Sequence, residues 1–593
     1  MERNEIAEQL KWRITDIFPS DEAWEKEFKG IEEEYGNYDF SVFKGKLGDK
    51  QSLLECLRLI DAVSRKIEKV YIYAHLRHDE DLRIAKYTSS HAQVGALISK
   101  IFAEFSFVEP ELTALDDATL NGFIADPDFA EYDYKLRKIA GAKAHVLSEA
   151  EEKLLTLGGD VMGDFQSVFN MLNNANLNLP KAMLNGEEVQ MSHGLYGVAL
   201  RDTDPSVRKE WFEKYYGAYI NIIDALAQTY YSNVKKNVFY KTVRKYDSCM
   251  AMAMDGEDVA PIVYDNLIKA VHEGLPAVHE YISLRKEVTG LAEQHMYDIY
   301  LPLVENADIK LPFEEAYQLV IEGLAPLGEE YQNLLRKGRN DGWIDVYESE
   351  GKRCGAYSAS VYDTHPYVLL NYQQTTNDIF TIAHEMGHAL HSYKSKEAQP
   401  YSKADYTIFL AEIASTVNEV LLLKHLYKNT EDKNLKKYLL NYYMDTIRAT
   451  LFRQSQFAEF EQIAHAKAEA GEALTKENLN EVYYQLNKDY FGDGIVQDEQ
   501  IAYEWARIPH FYSAFYVYKY ATGIISAISI VKRILTEGKP AVDDYFRFLS
   551  AGGYTDPVTI LQGAGVDLTT KAPFEAAMQE FEDTLREFKR LME

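Results

Sequence analysis

Apolar residues recur every three or four positions along most of this chain, and that spacing predicts helices with one buried face. The pattern runs through residues 1–145, 206–335 and 430–590. In the segment 52–70, for example, leucine, isoleucine and valine fall on a single helical face. We therefore predict a mainly α protein with few strands.

Three stretches depart from this spacing. Gly-Gly-Asp at 158–160 predicts the end of a helix, and Asn-Gly at 185–186 predicts a tight turn between two short strands. Residues 338–374 are rich in turn residues and β-prone side chains. Within them, 367–372 is predicted to be a strand and 355–358 its neighbour.

A domain boundary is expected near residue 200. The segment 202–207, Asp-Thr-Asp-Pro-Ser-Val, is typical of a helix start with proline in the first turn. The stretch before it is rich in asparagine and glycine and less helical in pattern. We predict an N-terminal helical lobe at 1–200 and a second domain at 201–593 that carries the chemistry.

The segment 376–394, TNDIFTIAHEMGHALHSYK, is predicted to be a helix. Asp378 can cap its start. Apolar residues at helical spacing would form its buried stripe: Ile379, Ile382, Ala383, Met386 and Leu390. The histidines of the segment fall on a different face.

His384 and His388 belong to an H-E-x-x-H sequence. On a helix, residues four apart lie on one face, so both imidazoles can bind the same Zn²⁺ at about 2.0–2.1 Å. Glu385 can then act as general base on a water molecule. A chance match on a surface helix is the alternative. His391 extends the same face, either as a residue supporting the ligands or as a polar residue closing the helix.

A catalytic zinc needs a third protein ligand. The segment 405–427 is predicted to be a second helix, and it places Glu412 among apolar neighbours. A buried carboxylate is costly unless it is paired or bound to a metal. We predict Glu412 as the third ligand and Glu419, seven residues on, as the partner of a ligand imidazole. The alternative is that both glutamates face water.

Composition argues against several classes of protein. The net charge of -30 argues against nucleic-acid binding and against docking on anionic membranes. Three scattered cysteines indicate no disulfide framework, and the first thirteen residues lack the apolar core of a secretory signal. The longest strongly apolar run, 521–531, is far short of the roughly 20 residues that span a bilayer. We expect a cytoplasmic protein.

A tyrosine-rich segment, 505–523, lies near the end of the chain. Tyr512, Tyr516 and Tyr520 are spaced to share one face of a helix. Phenol hydroxyls there could stabilise an oxyanion formed during attack on a carbonyl group. An aromatic core stripe is the alternative for each tyrosine. The candidates for this role are His510, Tyr512, Tyr516 and Tyr518.

The predicted strands beside the H-E-x-x-H helix suggest where a substrate would lie. An extended peptide can add to a sheet edge through backbone hydrogen bonds that ignore its sequence. We predict this role for residues 353–362, and especially for Gly355, Ala356 and Tyr357. A purely structural hairpin is the alternative.

The sequence around these residues resembles a known family. HEMGHALH at 384–391, followed by FLAEIASTVNE at 409–419, is similar to the thimet-oligopeptidase-like zinc metallopeptidases, in particular oligoendopeptidase F. Softer similarity covers 11–28, 295–304 and the C-terminal tyrosine-rich block. The resemblance implies a two-lobed helical protein with a deep channel, one zinc ion per chain, and short unstructured peptides as substrates. It also implies that a histidine and several tyrosines of the late block reach over the zinc.

The predicted function is therefore zinc-dependent hydrolysis of internal bonds in short peptides. Two alternatives stay open on the sequence. One is a zinc carboxypeptidase or dipeptidase, which also carries H-E-x-x-H on a helix. The other is a non-catalytic peptide-binding protein, which would have no need of the general base Glu385.

Overall fold

The computed structural model describes residues 1–304, 307 and 309–593, and it confirms a mainly α fold with small sheets. Its helices, numbered in chain order, are α1 (Asp21–Tyr35), α2 (Lys50–Glu80), α3 (Ala85–Glu104), α4 (Val108–Ala114), α5 (Asp117–Ala125), α6 (Asp133–Ala142), α7 (Glu149–Met171), α8 (His193–Ala199), α9 (Pro205–Ile220), α10 (Ile223–Val243), α11 (Cys249–Asp255), α12 (Ile262–Thr289), α13 (Phe313–Gly323), α14 (Glu329–Asn340), α15 (Thr376–Ala398), α16 (Ile408–Asn429), α17 (Lys433–Ile447), α18 (Arg453–Glu469), α19 (Lys476–Phe491), α20 (Tyr518–Glu537), α21 (Lys539–Leu549), α22 (Pro557–Gly563) and α23 (Ala572–Met592). The strands are β1 (Lys181–Leu184), β2 (Glu187–Gln190), β3 (Ile344–Asp345), β4 (Tyr357–Ala359) and β5 (Tyr367–Leu369).

The chain folds into two compact units, each assembled from three stretches of sequence. The first unit contains Met1–Val146, Asp308–Lys428 and Ile530–Val566. The second unit contains Leu147–Ala307, Asn429–Ser529 and Asp567–Glu593. The compact units therefore alternate along the chain, and the functional division into 1–200 and 201–593 stays a prediction.

The core of the first unit is aromatic and aliphatic. Trp24 of α1 stacks on Phe28 of the same helix and on Tyr73 of α2, with ring centroids 5.5 and 6.3 Å apart. The Trp24 indole N–H donates to the Val70 carbonyl at 2.8 Å, so this buried polar group is satisfied. Helix α1 begins after Ser20, whose side chain caps it, as the Ser-Asp-Glu sequence indicates.

A three-stranded sheet lies in the first unit next to α15. Strand β5 is central, with β3 parallel on one side and β4 antiparallel on the other. The predicted strand at 367–372 is confirmed over its first three residues, and Tyr357 pairs with Leu369 as its neighbour. This sheet precedes α15 in sequence and packs on it.

Helix α15 begins one residue after Thr375, which is its N-cap. Thr375 accepts a hydrogen bond from the Asp378 backbone N–H, and the Asp378 carboxylate accepts from the Thr375 backbone N–H. The prediction that Asp378 is the cap was therefore wrong by one turn. Asp378 is the third residue of the helix and completes a reciprocal capping box with Thr375.

In the second unit, the predicted hairpin is confirmed. Strands β1 and β2 are antiparallel, and Asn185 and Gly186 between them have φ of 52° and 81°. Asparagine and glycine tolerate this left-handed conformation, which matches the twist of a two-residue hairpin. The predicted break at 158–160 is wrong, because α7 continues through it to Met171.

The tyrosine-rich segment is not one continuous helix. Short 3-10 turns cover Glu499–Arg507 and Pro509–Tyr512, and α20 begins only at Tyr518. Phe515, between them, has φ of 55°, which no helix accommodates. The prediction that Tyr512, Tyr516 and Tyr520 share a helical face is therefore wrong.

Among the residues that the structure describes, no helix combines the length and the apolar character needed to cross a bilayer.

Candidate active site

Helices α15 and α16 approach so closely that backbone meets backbone. A Cβ atom built on Gly387 would lie 2.6 Å from the Cα of Ser415 and 2.7 Å from the carbonyl oxygen of Ala414. Only glycine allows this distance. The contact is reinforced by Asn418, whose amide donates to the Ala383 carbonyl at 2.9 Å. The packing brings the face of α15 that carries the two histidines against the face of α16 that carries its glutamates.

His384, His388 and Glu412 form a compact triangle of ligand atoms. The two Nε2 atoms are 3.1 Å apart. The Oε2 atom of Glu412 lies 3.4 Å from His384 Nε2 and 3.5 Å from His388 Nε2. No other group of three such side chains in the described part of the chain comes as close together.

The triangle fits a tetrahedral metal ion. Ligands held at about 2.0–2.1 Å with tetrahedral angles are separated by about 3.3–3.4 Å, which matches all three edges. Two imidazole nitrogens and one carboxylate oxygen are also a donor set that zinc binds. The Glu412 side chain is 42% exposed, so its apolar neighbours in sequence do not bury it. One side of the triangle is therefore open to a further ligand.

Glu419 fixes the orientation of the first histidine. Its Oε1 atom lies 2.6 Å from His384 Nδ1, and the ring N–H donates to it. With one proton held at Nδ1, Nε2 is the nitrogen that can bind a metal, in exchange for its own proton. Burial lowers the pKa of His384, but hydrogen bonds to Glu412 and Glu419 outweigh burial and raise it to about 10. Partial desolvation raises the pKa of Glu412, but its contacts with His384 and His388 outweigh this effect and hold the pKa well below its ordinary value.

Glu385 is buried beside this cluster, with 7% of its surface exposed. Burial raises the pKa of its carboxyl above the ordinary value, and the neighbouring histidines oppose that shift. A carboxylate in such a setting is a stronger base than one in water.

His391 does not join the triangle. Its ring lies flat on Tyr406, with centroids 3.7 Å apart, and neither ring nitrogen has a hydrogen-bond partner among the described residues. Burial lowers the pKa of His391 to about 3, so the ring is neutral. Among the described residues, no hydrogen bond joins His391 to the ligand side chains, so its role in supporting them stays a prediction.

The predicted substrate residues precede and open β4, at the edge of the three-stranded sheet. Gly355 has φ of 87° and its carbonyl accepts from the Asn371 amide at 2.8 Å. Tyr357 donates from its hydroxyl to the buried Asp79 at 2.9 Å, and Ala356 lies between the two. The edge is thus held in place by Asn371 and Asp79, neither of which the sequence pattern indicated.

The remaining candidates belong to the second unit, where they separate into two groups. His510 and Tyr516 are half-buried and stacked at 6.1 Å, and Tyr520 lies with its hydroxyl 3.4 Å from His510 Nε2. Tyr512 and Tyr518 are buried instead. Tyr512 stacks on Phe169, and Tyr518 packs beside Tyr264.

Tyr520 was not among the four predicted candidates, although it lies next to His510. The sequence did indicate that Tyr520 lies near Tyr516, because the two residues are four apart. The missing information was the turn at Phe515, which decides which tyrosine rings gather around His510.

Comparison with known proteins identifies the family of the chain. Residues 198–580 match the family model described as peptidase family M3, and residues 111–178 match one described as oligopeptidase F. The chain is 43% identical to oligopeptidase PepF of Bacillus subtilis, covering all of this chain and 88% of that protein. It is 39% identical to group B oligopeptidase PepB of Streptococcus agalactiae, covering all of this chain and 98% of that protein.

A crystal structure gives the same result. The structure of oligoendopeptidase-F from Enterococcus faecium superimposes with a TM-score of 0.74 at 34% identity, covering 96% of this chain and 99% of that one. The resemblance first drawn from residues 384–419 is therefore confirmed over the full chain. The chain belongs to peptidase family M3, and it is a metalloendopeptidase of the oligoendopeptidase F type.

Proposed function

We propose that this metalloendopeptidase uses zinc to hydrolyse internal bonds of short, unstructured peptides. The observation that carries the proposal is the triangle of His384, His388 and Glu412, whose edges of 3.1, 3.4 and 3.5 Å suit a tetrahedral ion. When bound there, zinc supplies a Lewis acid and lowers the pKa of water. Peptides as substrates are supported by the names of the relatives, which are oligopeptidases.

Glu385 acts as the general base in this proposal. Its carboxylate accepts the proton of the attacking water and later delivers it to the leaving amine. Burial supports the role, since it raises the pKa of this carboxyl above its ordinary value and so makes the carboxylate a stronger base. Glu419 holds the proton on Nδ1 of His384 and so keeps that ring in the tautomer a ligand requires.

The oxyanion is stabilised by side chains of the late tyrosine segment. We keep the predicted set of His510, Tyr512, Tyr516 and Tyr518 and rank His510 and Tyr516 first, because they are half-buried rather than packed in the core. Tyr520, which lies next to His510, joins this set. Removing one such donor typically costs about 10²–10³ in kcat.

The substrate backbone adds to β4 in this proposal, along Gly355, Ala356 and Tyr357. Strand β4 pairs with β5 on one side and is the outer strand of its sheet in the described part of the chain. A two-lobed arrangement with a deep channel, which would exclude folded proteins, and a cytoplasmic location remain predictions.

The test combines metal analysis with product mapping. The purified protein is expected to carry zinc and to cleave a short unstructured peptide internally, and a chelator should abolish cleavage. In the variant Glu385→Gln, zinc content should remain while kcat falls by about 10²–10⁴. Cleavage by Glu385→Gln at the wild-type rate would contradict the role of Glu385. Stepwise loss of C-terminal residues would contradict internal cleavage.

A further inference from the structure

A cavity in the second unit lies outside the residues assigned to the peptidase reaction. It has a volume of about 440 Å³ and is lined by α8, α9 and the segment around Arg507. Its wall includes Tyr196, Tyr300, Arg201 and Arg507. Within the described part of the chain, the wall contains no aspartate or glutamate. The cavity thus offers hydrogen-bond donors and positive charge in a protein of net charge -30.

At this cavity, two arginine side chains share one glutamate. Arg507 and Arg453 both donate to the same carboxylate oxygen of Glu504, at 2.6 and 2.7 Å. Glu504 is almost fully buried and carries one negative charge for these two guanidinium groups. In the described part of the chain, neither arginine forms an ion pair with a second carboxylate. Two partly buried guanidinium groups therefore share one carboxylate, which leaves positive charge at the wall of the cavity.

A second arginine pair behind the cavity repeats the imbalance. Arg285 and Arg448 share Asp445, at 3.8 and 3.2 Å. Tyr300 connects this pair to the cavity, because the Arg448 guanidinium lies over its ring at 5.4 Å and its hydroxyl accepts from Arg453 at 2.9 Å. With its lone pair engaged by Arg453, the Tyr300 hydroxyl has its proton available for an acceptor in the cavity.

Tyr196 adds a donor beside Arg507. Its ring is buried and stacks on Tyr215 at 3.8 Å, and it lines the cavity together with Arg507 and Tyr300. No hydrogen-bond partner of this hydroxyl is found among the residues that the structure describes. The exposed Arg201 at the rim is likewise without an ion-pair partner in that part of the chain. These groups can all donate to one acceptor molecule.

We propose that this cavity binds a carboxylate, namely the free C-terminal carboxylate of a peptide, with Arg507 as the anchor and Tyr196, Tyr300 and Arg201 as further donors. A guanidinium group presents two parallel N–H donors, which suit a planar carboxylate. The identification of the ligand as a peptide rests on the proposed function, whereas the preference for an oxyanion does not. Inorganic phosphate shares part of this chemistry, so the test must separate the two.

The test measures binding without turnover. Two labelled peptides of identical sequence, one ending in a carboxylate and one in a carboxamide, are titrated into the full-length protein after chelator treatment. Because a hydrogen bond to a charged group is worth more than a neutral one, the acid is expected to bind about 10- to 100-fold more tightly. Equal affinity of the two peptides would overturn the proposal.

Variants locate the effect. The double variant Tyr196→Phe with Arg201→Gln removes two donors that have no partner in the fold and should lose most of the preference for the acid. Arg507→Lys keeps a cation beside Glu504 but not the paired donors, and it should lower the preference further. Lys209→Gln removes an exposed charge from α9 and should leave the preference unchanged. An unchanged preference in the first two variants would place the carboxylate elsewhere and overturn the assignment.

Competition separates the sources of the anion. N-acetylglycine should displace the acid peptide at lower concentration than inorganic phosphate, because it carries the terminal carboxylate and the last backbone amide of a peptide. The opposite order would indicate a phosphate site and contradict the peptide assignment. Cleavage by the untreated protein is measured in parallel. A preference for the acid without any cleavage would support the cavity and count against the proposed function alone.

Discussion

Helix α15 carries a histidine close to two glutamates of α16, and α18 carries a histidine one turn after a glutamate, yet the two sites differ in charge. On α15, His384 faces Glu419 at 2.6 Å and Glu412 at 3.4 Å, and those carboxylates stabilise a charged ring. On α18, Glu461 and His465 are four residues apart on the same helix, and both are buried. There burial raises the pKa of Glu461 to about 8 and lowers that of His465 to about 4.

The difference comes from the partners that each fold unit supplies. His465 accepts a hydrogen bond at Nε2 from the Asn237 amide at 3.0 Å and donates its Nδ1–H to the Glu461 carbonyl at 2.8 Å, which fixes a neutral ring. Glu461 accepts one hydrogen bond, from the Phe515 N–H at 3.1 Å. The α15 cluster can exchange protons for a metal ion, whereas the α18 pair stays neutral and holds the strained turn at Phe515. Residue type and spacing alone therefore do not determine whether a histidine near a glutamate is charged or neutral.

The largest change expected is the loss of the charged cluster when α15 and α16 are forced apart. Gly387→Val places side-chain atoms where the backbone of Ser415 and the carbonyl of Ala414 lie. Overpacking of this kind costs about 1–3 kcal/mol and sometimes more. It also moves Glu412 away from the histidines, so zinc binding and cleavage should both be lost. Metal content, cleavage rate and thermal unfolding are measured on the same preparation.

Gly95→Ala is the matched control for that variant. Gly95 lies within α3 in the same unit, and a Cβ atom there meets no atom within 4 Å. Replacing a helical glycine by alanine should stabilise the protein by about 0.5–1 kcal/mol and leave zinc binding unchanged. Normal zinc content in Gly387→Val would show that the close approach of the helices is not required for the site.

A smaller effect is expected when His384, His388 and Glu412 are kept and only the hydrogen bond between His384 and Glu419 is weakened. Glu419→Gln removes the negative charge that holds the Nδ1 proton of His384. Loss of such a partner typically lowers metal affinity by 10- to 100-fold. The dissociation constant for zinc is measured by competition with a chelating dye. Glu397→Gln, an exposed residue nine positions beyond His388, should bind zinc like the wild type, and equal affinity in both variants would contradict the role of Glu419.

The comparison also shows what the sequence could and could not predict. The H-E-x-x-H helix and the Asn-Gly hairpin follow from local spacing, and both are confirmed. The turn at Phe515 depends on Glu461, more than fifty residues earlier, so local periodicity missed it and predicted one helix. The sharing of Glu504 by two arginines likewise depends on segments that meet only in the folded unit.

The smallest effect expected concerns the neutral pair on α18. In the folded protein Glu461 keeps its proton up to about pH 8, whereas in the unfolded chain it loses the proton near its ordinary value of 4.5. The folded state therefore binds more protons than the unfolded state between these values, and stability falls as pH rises through this window. His465 acts in the opposite direction, but only between about pH 4 and its ordinary value of 6.5. Between pH 6.5 and 8, only Glu461 of this pair changes the stability with pH.

The variant Glu461→Gln still accepts the hydrogen bond from the Phe515 N–H and has no proton to lose. Its unfolding temperature should therefore rise relative to the wild type as the pH is raised across that range. Glu472→Gln, a half-exposed residue of the same unit, should follow the wild-type curve. Parallel curves for wild type and Glu461→Gln would mean that Glu461 is already ionised in the fold and that the two regions do not differ in charge.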